Sequence, residues 1–328
     1  DIVSFGLVKD ITLTAERTRV LIEIQTKDPD IPETIFKGCH AALAEIPDIG
    51  EITVDIEIKD PPGQASPGGD TTGKSSIPGI KKIIAVGSGK GGVGKSTVAS
   101  NLAVALAKTG AKVGLCDCDL YGPSVALMFG SNERPMANDR DEIIPIEVNG
   151  IKLMSMGFLL EDRSPVIVRG PMATRYTQQF LRQVEWGELD YLILDLPPGT
   201  GDIQLTIVQT VAVDGAVIVT TPQEVALIDA RKAVSMFAKV NVPILGIIEN
   251  MSWFECDQGV RYPIFGEGGG QREADLMNTP LLAQIPIEMP IRAAGDSGSP
   301  IVGSKDDSSP AVEALKSAAR QITEALSH

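Results

Sequence analysis

The sequence predicts an α/β chain in two parts: a doubly wound, mostly parallel sheet over residues 81–328, preceded by a small α+β domain at 1–60 and a flexible linker at 61–80. Three observations carry this. Continuous apolar runs recur at 82–86, 112–116, 191–194, 216–219, 244–248 and 281–285, and such runs suit parallel strands covered on both faces. Helical patterns lie between several of them, the alternation of a doubly wound sheet. Pro61 to Gly79 is rich in Pro, Gly, Ser and Thr with almost nothing to bury, which is the composition of a linker.

The elements follow in order. Asp1 to Lys9 and Arg19 to Gln25 alternate apolar and polar residues around a polar turn, so a hairpin is expected. Pro32 to Ile46 predicts a helix with Ile35, Phe36, Cys39, Leu43 and Ile46 on its buried side. Glu51 to Ile58 alternates strictly and predicts a third strand. Lys82 to Val86 reads as a buried strand, and Val98 to Lys108 as an Ala- and Leu-rich helix closed by Gly110. The last helix, Pro310 to Leu326, sets Val312, Leu315, Ala319, Ile322 and Leu326 on one stripe. A membrane-surface helix would carry several cations on its polar face. This one has Lys316 and Arg320 alone, so it is expected to dock on the core.

Composition excludes several classes. With 328 residues the chain has room for about two domains. It has no apolar run long enough to span a bilayer. A net charge of −14 argues against a general nucleic-acid or anionic-lipid surface, so neither nucleic acid nor membrane is an expected partner. Four cysteines, two of them in Cys116-Asp117-Cys118, do not make a disulfide framework. No signal-peptide pattern is present, and a reducing, cytoplasmic compartment is expected.

Residues Gly89-Lys90-Gly91-Gly92-Val93-Gly94-Lys95-Ser96-Thr97 satisfy G-x-x-x-x-G-K-[ST], the loop that cradles phosphates. Glycines let backbone N–H groups turn inward around the phosphates. Lys95 supplies charge to the β/γ-phosphates, the Ser96 hydroxyl is a Mg²⁺ ligand, and a helix starting near Ser96 adds its positive end. Gly68 to Ser75 fits the same pattern. No strand feeds it and no helix leaves it, so it is assigned to the linker. Lys90 is a second lysine that an ordinary loop of this kind does not need; it suggests two nucleotide sites facing each other across a dimer.

Carboxylates cluster at the predicted strand ends, where ligands of such sheets bind. Asp117 and Asp119 follow the run at 112–116. Asp117 is a candidate for the outer shell of Mg²⁺ and Asp119 for positioning the attacking water; a helix-capping pair is the other reading. Asp195 ends Tyr191-Leu192-Ile193-Leu194-Asp195, the Walker B arrangement, with Mg²⁺ as its partner. Leu196 to Asp202 has the makeup of a switch loop, with the Gly199 N–H available to the γ-phosphate; a plain turn is the other reading. Asn250 suits an adenine edge and equally suits a turn. Arg169 suits a phosphate, a partner carboxylate or a surface ion pair.

Together these stretches resemble a known family. Gly89 to Thr97 with Lys90 resembles the deviant Walker A loop of the MinD/ParA/Mrp class. Asp117 to Ser124, Arg169-Gly170-Pro171-Met172, Asp195 to Asp202, Thr220 to Glu224 and Glu249-Asn250-Met251-Ser252 resemble its Mrp/ApbC branch, which comprises ATP-dependent iron–sulfur cluster carriers. Residues 1–60 resemble the MIP18-like domain that often precedes the ATPase. The resemblance implies ATP and Mg²⁺ as cofactors, and a homodimer in which Lys90 reaches the partner's nucleotide. It also implies Lys95 and Ser96 on phosphate and Mg²⁺, Asp119 in hydrolysis, Asn250 on adenine, and scaffold or acceptor proteins as partners. The family's 4Fe–4S cluster bridges two subunits on a C-x-x-C pair from each. This sequence departs from that pattern: Cys256 holds the first position and Gly259 the second. A dimer then offers two thiolates where a cluster wants four ligands, so Cys256 stands as a cluster ligand or a vestigial thiol. Pro29 falls where relatives of the small domain carry a reactive cysteine. Cys116 and Cys118 are expected to point to opposite faces, and Cys116 and Cys39 to lie in the core. Two further readings stay open: a positional switch of the MinD/ParA kind, and a pathway scaffold that no longer holds a cluster.

Overall fold

The computed structural model describes residues 8–13, 17–25, 30–44, 46, 50–59, 76–158, 180–304 and 309–327. The chain divides into two compact units at residues 71/72. In the first, β1 (Val8–Leu13) pairs antiparallel with β2 (Arg17–Gln25), which pairs parallel with β3 (Glu51–Lys59) after α1 (Asp30–Ala44). Val20, Ile22 and Val54 form the core, and α1 lays Ile35, Cys39 and Leu43 on it. Two expectations need correction. The first strand runs to Leu13, not Lys9, because Ile11 and Leu13 pair with Val20 and Thr18; residues 1–7 and 14–16 lie outside the described residues. The helical stripe is Ile35, Cys39 and Leu43 at fourfold spacing. Phe36 and Ile46 therefore face solvent, at 42% and 50% exposure, and Phe36 stacks on His40.

The second unit contains β4 (Ile80–Gly87), α2 (Lys95–Ala107), β5 (Val113–Asp117), α3 (Val125–Met128), β6 (Ile146–Val148), β7 (Ile151–Ser155), β8 (Leu189–Asp195) and α4 (Asp202–Thr210). It continues with β9 (Gly215–Thr220), α5 (Glu224–Lys239), β10 (Ile244–Glu255), β11 (Arg261–Tyr262), α6 (Gly269–Leu276), β12 (Leu281–Ile287), α7 (Met289–Asp296) and α8 (Pro310–Leu326). The nine strands form one sheet in the order β11-β10-β9-β4-β8-β5-β7-β6, with β12 beside β10. Only the β6–β7 and β10–β11 pairs are antiparallel, so the sheet is mostly parallel, as the unbroken apolar runs required. β5 and β9 are wholly buried, and β4 and β8 are buried over their carboxyl-terminal halves. The decoy loop at 68–75 lies outside the described residues, as does Arg169. Ile77, within the stretch read as linker, is buried in the large core.

The strand order places β4 at the centre with β8 and β9 on either side. The carboxyl ends of β4, β5 and β8 and the middle of β10 thus lie at one edge of the sheet, and each carries or leads into a residue singled out from the sequence. α8 packs Val312, Leu315, Ala318, Ala319 and Ile322 onto the core, as its stripe predicted. No helix among the described residues is long and apolar enough to cross a membrane.

Candidate functional site

The loop from Gly89 to Gly94 leaves β4 and enters α2 at Lys95. Gly94 is the N-cap with φ of 82°, and no side chain caps the helix. Its first N–H groups are therefore free for an anion, and the helix dipole favours one there. Any Cβ at Gly94 would strike the Asn250 amide at 2.2 Å, and one at Gly89 would strike the Asp229 backbone of α5 at 2.0 Å. Lys90, Gly91, Gly92, Lys95, Ser96 and Asp119 line a cavity of about 220 Å³. Val93 is buried beneath it, and Thr97 continues the wall. Lys90 is half-buried and makes no ion pair with a described residue.

Lys95 is 6% exposed and donates to the Asp195 carboxylate, which is fully buried at the end of β8. Burial pushes the Asp195 carboxyl up, and the Lys95 charge opposes that shift. The second oxygen of Asp195 has no hydrogen-bond partner among the described residues. A buried orphan carboxylate oxygen one lysine away from the Ser96 hydroxyl is a donor set of hard oxygens, which fits Mg²⁺.

Asp117 is the register partner of Asp195 across β5 and β8. Its carboxylate accepts from the Ser155 hydroxyl at 3.0 Å and from the backbone N–H groups of Asp119, Ser124 and Val125, each at 3.1 Å. Burial, then the Asp195 charge, push its carboxyl up to about 7. Asp117 therefore clamps the turn that leads into α3, and both of its oxygens are engaged. Asp119 stands half-buried on the cavity wall, with one oxygen accepting from the Tyr121 and Gly122 N–H groups.

Two expected contacts sit differently. The Gly199 N–H donates to the Ser88 carbonyl at 3.0 Å, so the switch loop is held against the start of the phosphate loop by the group expected to reach a phosphate. The Gln204 amide donates to the Pro197 carbonyl from the first turn of α4. Asn250 donates its amide to the Val93 carbonyl at 2.9 Å, which leaves its oxygen as an acceptor. That residue also lines a second cavity of about 520 Å³ beside Gly94 and Thr97, walled by Met251, Phe265, Pro286 and Ile287. It is apolar, as a purine base requires. None of these four wall residues was foreseen. Met251 lay inside a noted motif, but Phe265 follows β11, and Pro286 and Ile287 end β12, segments that only the fold brings together. A further cavity of about 610 Å³ lies at the amino ends of β5, β7 and β8, opposite all of this chemistry.

Cys256 lies in the turn between β10 and β11, half-buried. Its N–H donates to the Val260 carbonyl, and Gly259, with φ of 74°, donates back to the Cys256 carbonyl. N–H groups of Gln258 and Val260, and then the Tyr262 hydroxyl, draw the Cys256 thiol below its ordinary value. A Cβ at Gly259 would meet open space. No group of three or more metal-ligating side chains occurs among the described residues. Cys116 and Cys118 correct the expectation of opposite faces. Residues two apart in a strand share a face, and the two sulfurs lie 3.8 Å apart, fully buried. A hydrogen bond to Cys116, then burial, push the Cys118 thiol well up.

Residues 79–323 match the model of a family described as ParA, NUBPL iron-transfer P-loop NTPase. The chain is 43% identical over 327 residues to an iron–sulfur cluster carrier protein of Synechocystis sp., covering 98% of this chain and 91% of that one. A nucleotide-binding protein from Archaeoglobus fulgidus, solved with ADP, superposes with a TM-score of 0.62 at 42% identity, over 69% of this chain and 90% of that one. The cell division ATPase MinD of Pyrococcus furiosus superposes with a TM-score of 0.57 at 25% identity, over 74% of this chain and 98% of that one.

Proposed function

The chain belongs to the ParA-type, iron-transfer P-loop NTPases, and from that premise we propose that it is an ATP-hydrolysing iron–sulfur cluster carrier working as a nucleotide-gated homodimer. One observation carries the coupling. Strand β10 holds Asn250 against the phosphate loop and, six residues on, ends at the Cys256 turn. A change in the phosphate loop therefore has a short route along the chain to the cargo turn. The phosphates of ATP take the N–H groups of Gly89 to Ser96, and the base enters the apolar cavity against Asn250. Lys95 exchanges its partner, leaving Asp195 for the incoming phosphates. Ser96 and Asp195 hold Mg²⁺, with Asp117 behind them fixing the turn; when bound, the ion neutralises charge developing on the phosphates. Gly199 leaves the Ser88 carbonyl for the γ-phosphate. Asp119 orients water, and Lys90 reaches the nucleotide of the partner subunit.

The cargo is a cluster shared between two Cys256 thiolates, one from each subunit. Gly259 leaves space beside each for an outside ligand, since a cluster wants four. Scaffold or acceptor proteins are the partners, the compartment is cytoplasmic, and the unit before residue 72 is a MIP18-like domain. Anaerobic reconstitution with iron and sulfide tests the reading. Visible charge-transfer absorbance and iron transferable to an apo-acceptor are expected; a colourless protein with no transferable iron sinks the carrier role. Gly259 favours a second reading, a pathway ATPase scaffold, for which that colourless protein would still hydrolyse ATP and bind carrier proteins.

A further inference from the structure

Glu249 is a buried charged group that the proposed reaction leaves unused. It is 1% exposed in the middle of β10, next to Asn250. Its carboxylate accepts from the Gly270 N–H at the start of α6 and from the Gln284 amide of β12 at 2.8 Å. No cation pairs with it among the described residues. Arg231 is instead committed to Glu273 and Glu224. A Cβ at Gly270 would lie 2.8 Å from the Glu249 side chain, so α6 and β10 meet at the closest approach a glycine permits. The carboxylate closes the positive end of α6 from inside and leaves no room there for a ligand. Each of its two donors also leads to the base cavity. Phe265 stands five residues before Gly270, and Pro286 two residues after Gln284; they form two of its walls.

We infer that Glu249 is a positioning residue for the nucleotide base: it fixes the Phe265 and Pro286 walls against Asn250 and leaves the phosphate loop to fold without it. The inference rests on the base occupying the 520 Å³ cavity. Removing the carboxylate orphans the buried Gly270 N–H, releases the exposed Gln284 amide to water, and frees both walls. Binding of ATP and of inorganic tripolyphosphate, which lacks a base, is therefore measured on the full chain with Mg²⁺ present. The wild type is expected to bind ATP more tightly than tripolyphosphate; equal affinities would refute the base cavity itself. Glu249→Ala is expected to weaken ATP by about tenfold or more, the scale of one lost buried hydrogen-bonding group, and tripolyphosphate by no more than about twofold. Glu249→Gln keeps one acceptor and is expected to recover most of the ATP affinity. Gln284→Met removes one donor, leaves Glu249 in place, and gives a smaller loss confined to ATP; it reads the same question should Glu249→Ala fail to fold. Loss of ATP and tripolyphosphate in equal proportion, or unchanged ATP binding in a folded variant, overturns the inference while leaving the base cavity standing.

Discussion

A sulfur's reactivity follows what points at it, and the four cysteines differ in this. Cys256 faces N–H groups of Gln258 and Val260 and the Tyr262 hydroxyl, which favour its thiolate. Burial pushes the Cys39 thiol up, and Cys116 and Cys118 are fully buried. A lowered value means the thiolate persists as pH falls, so the iodoacetamide rate at Cys256 should reach half its maximum below the ordinary thiol value of about 8.5. Mass spectrometry of the native protein should find Cys256 modified first, Cys39 later, and Cys116 and Cys118 only after unfolding. Cys39 reacting first, or a Cys256 midpoint at the ordinary value, would contradict this account of the turn. The sequence showed Cys256 and the glycine at the second position, but not the donors around its sulfur, because these come from a turn whose geometry has no periodic signal. For Cys116 and Cys118 the information was present in their spacing: alternation places residues two apart on one face, and the shared, buried face follows from it.

At the scale of elements, what was legible followed from period and caps. The stripe of α8 was readable because every fourth or third residue is apolar, and Ser309 closes its start by accepting from the Val312 N–H. Ile322 is 1% exposed there, and Arg320 is exposed. Ile322→Ala should therefore cost about 2–5 kcal/mol of unfolding free energy, and Arg320→Ala no more than about 0.5 kcal/mol, read from urea denaturation midpoints. A helix lying free on a membrane surface would show little cost at Ile322 in water. The β6–β7 hairpin went unread, although its turn is spelled Asn149-Gly150, the strongest short hairpin signal; both residues have positive φ, 50° and 74°. Its strands are only three and five residues long, too short for alternation to register. The site itself was legible where a carboxylate or glycine ends an apolar run, as at Asp117, Asp195 and Gly89. It was illegible where it depends on which strand lies beside which. Nothing in the order of residues says that β10 brings Glu249 to α6 and Asn250 to the phosphate loop.

For the whole molecule, charge and position separate the two lysines of the loop. Each copy carries a net charge of −14, so two copies repel over long range, and close approach needs specific attraction at the face that meets. The proposal gives Lys90 this part: it borders the cavity at the glycine-rich loop, half-buried, without an ion-pair partner among the described residues. Lys95 is inside, already paired with Asp195. The two substitutions should thus fail differently. Lys95→Ala removes the charge proposed to meet phosphate and leaves Asp195 buried without its partner, so nucleotide binding should be lost and the nucleotide-free protein destabilised by up to about 3–5 kcal/mol. Lys90→Ala disturbs no buried pair, so nucleotide-free stability should stay within about 0.5 kcal/mol of wild type and each subunit should still bind ATP. Its deficit belongs to the assembled pair: the ATP-dependent dimer weakens, and hydrolysis falls by at least about tenfold for want of a cation supplied across the interface. Sedimentation velocity with ATP, turnover as a function of protein concentration, and mixing with Lys95→Ala subunits together check this. In the mixed dimer, the Lys90→Ala subunit binds nucleotide and receives an intact Lys90 from its partner, so hydrolysis should partly return. Full turnover of Lys90→Ala alone, or no recovery on mixing despite dimer formation, would place Lys90 outside the shared site.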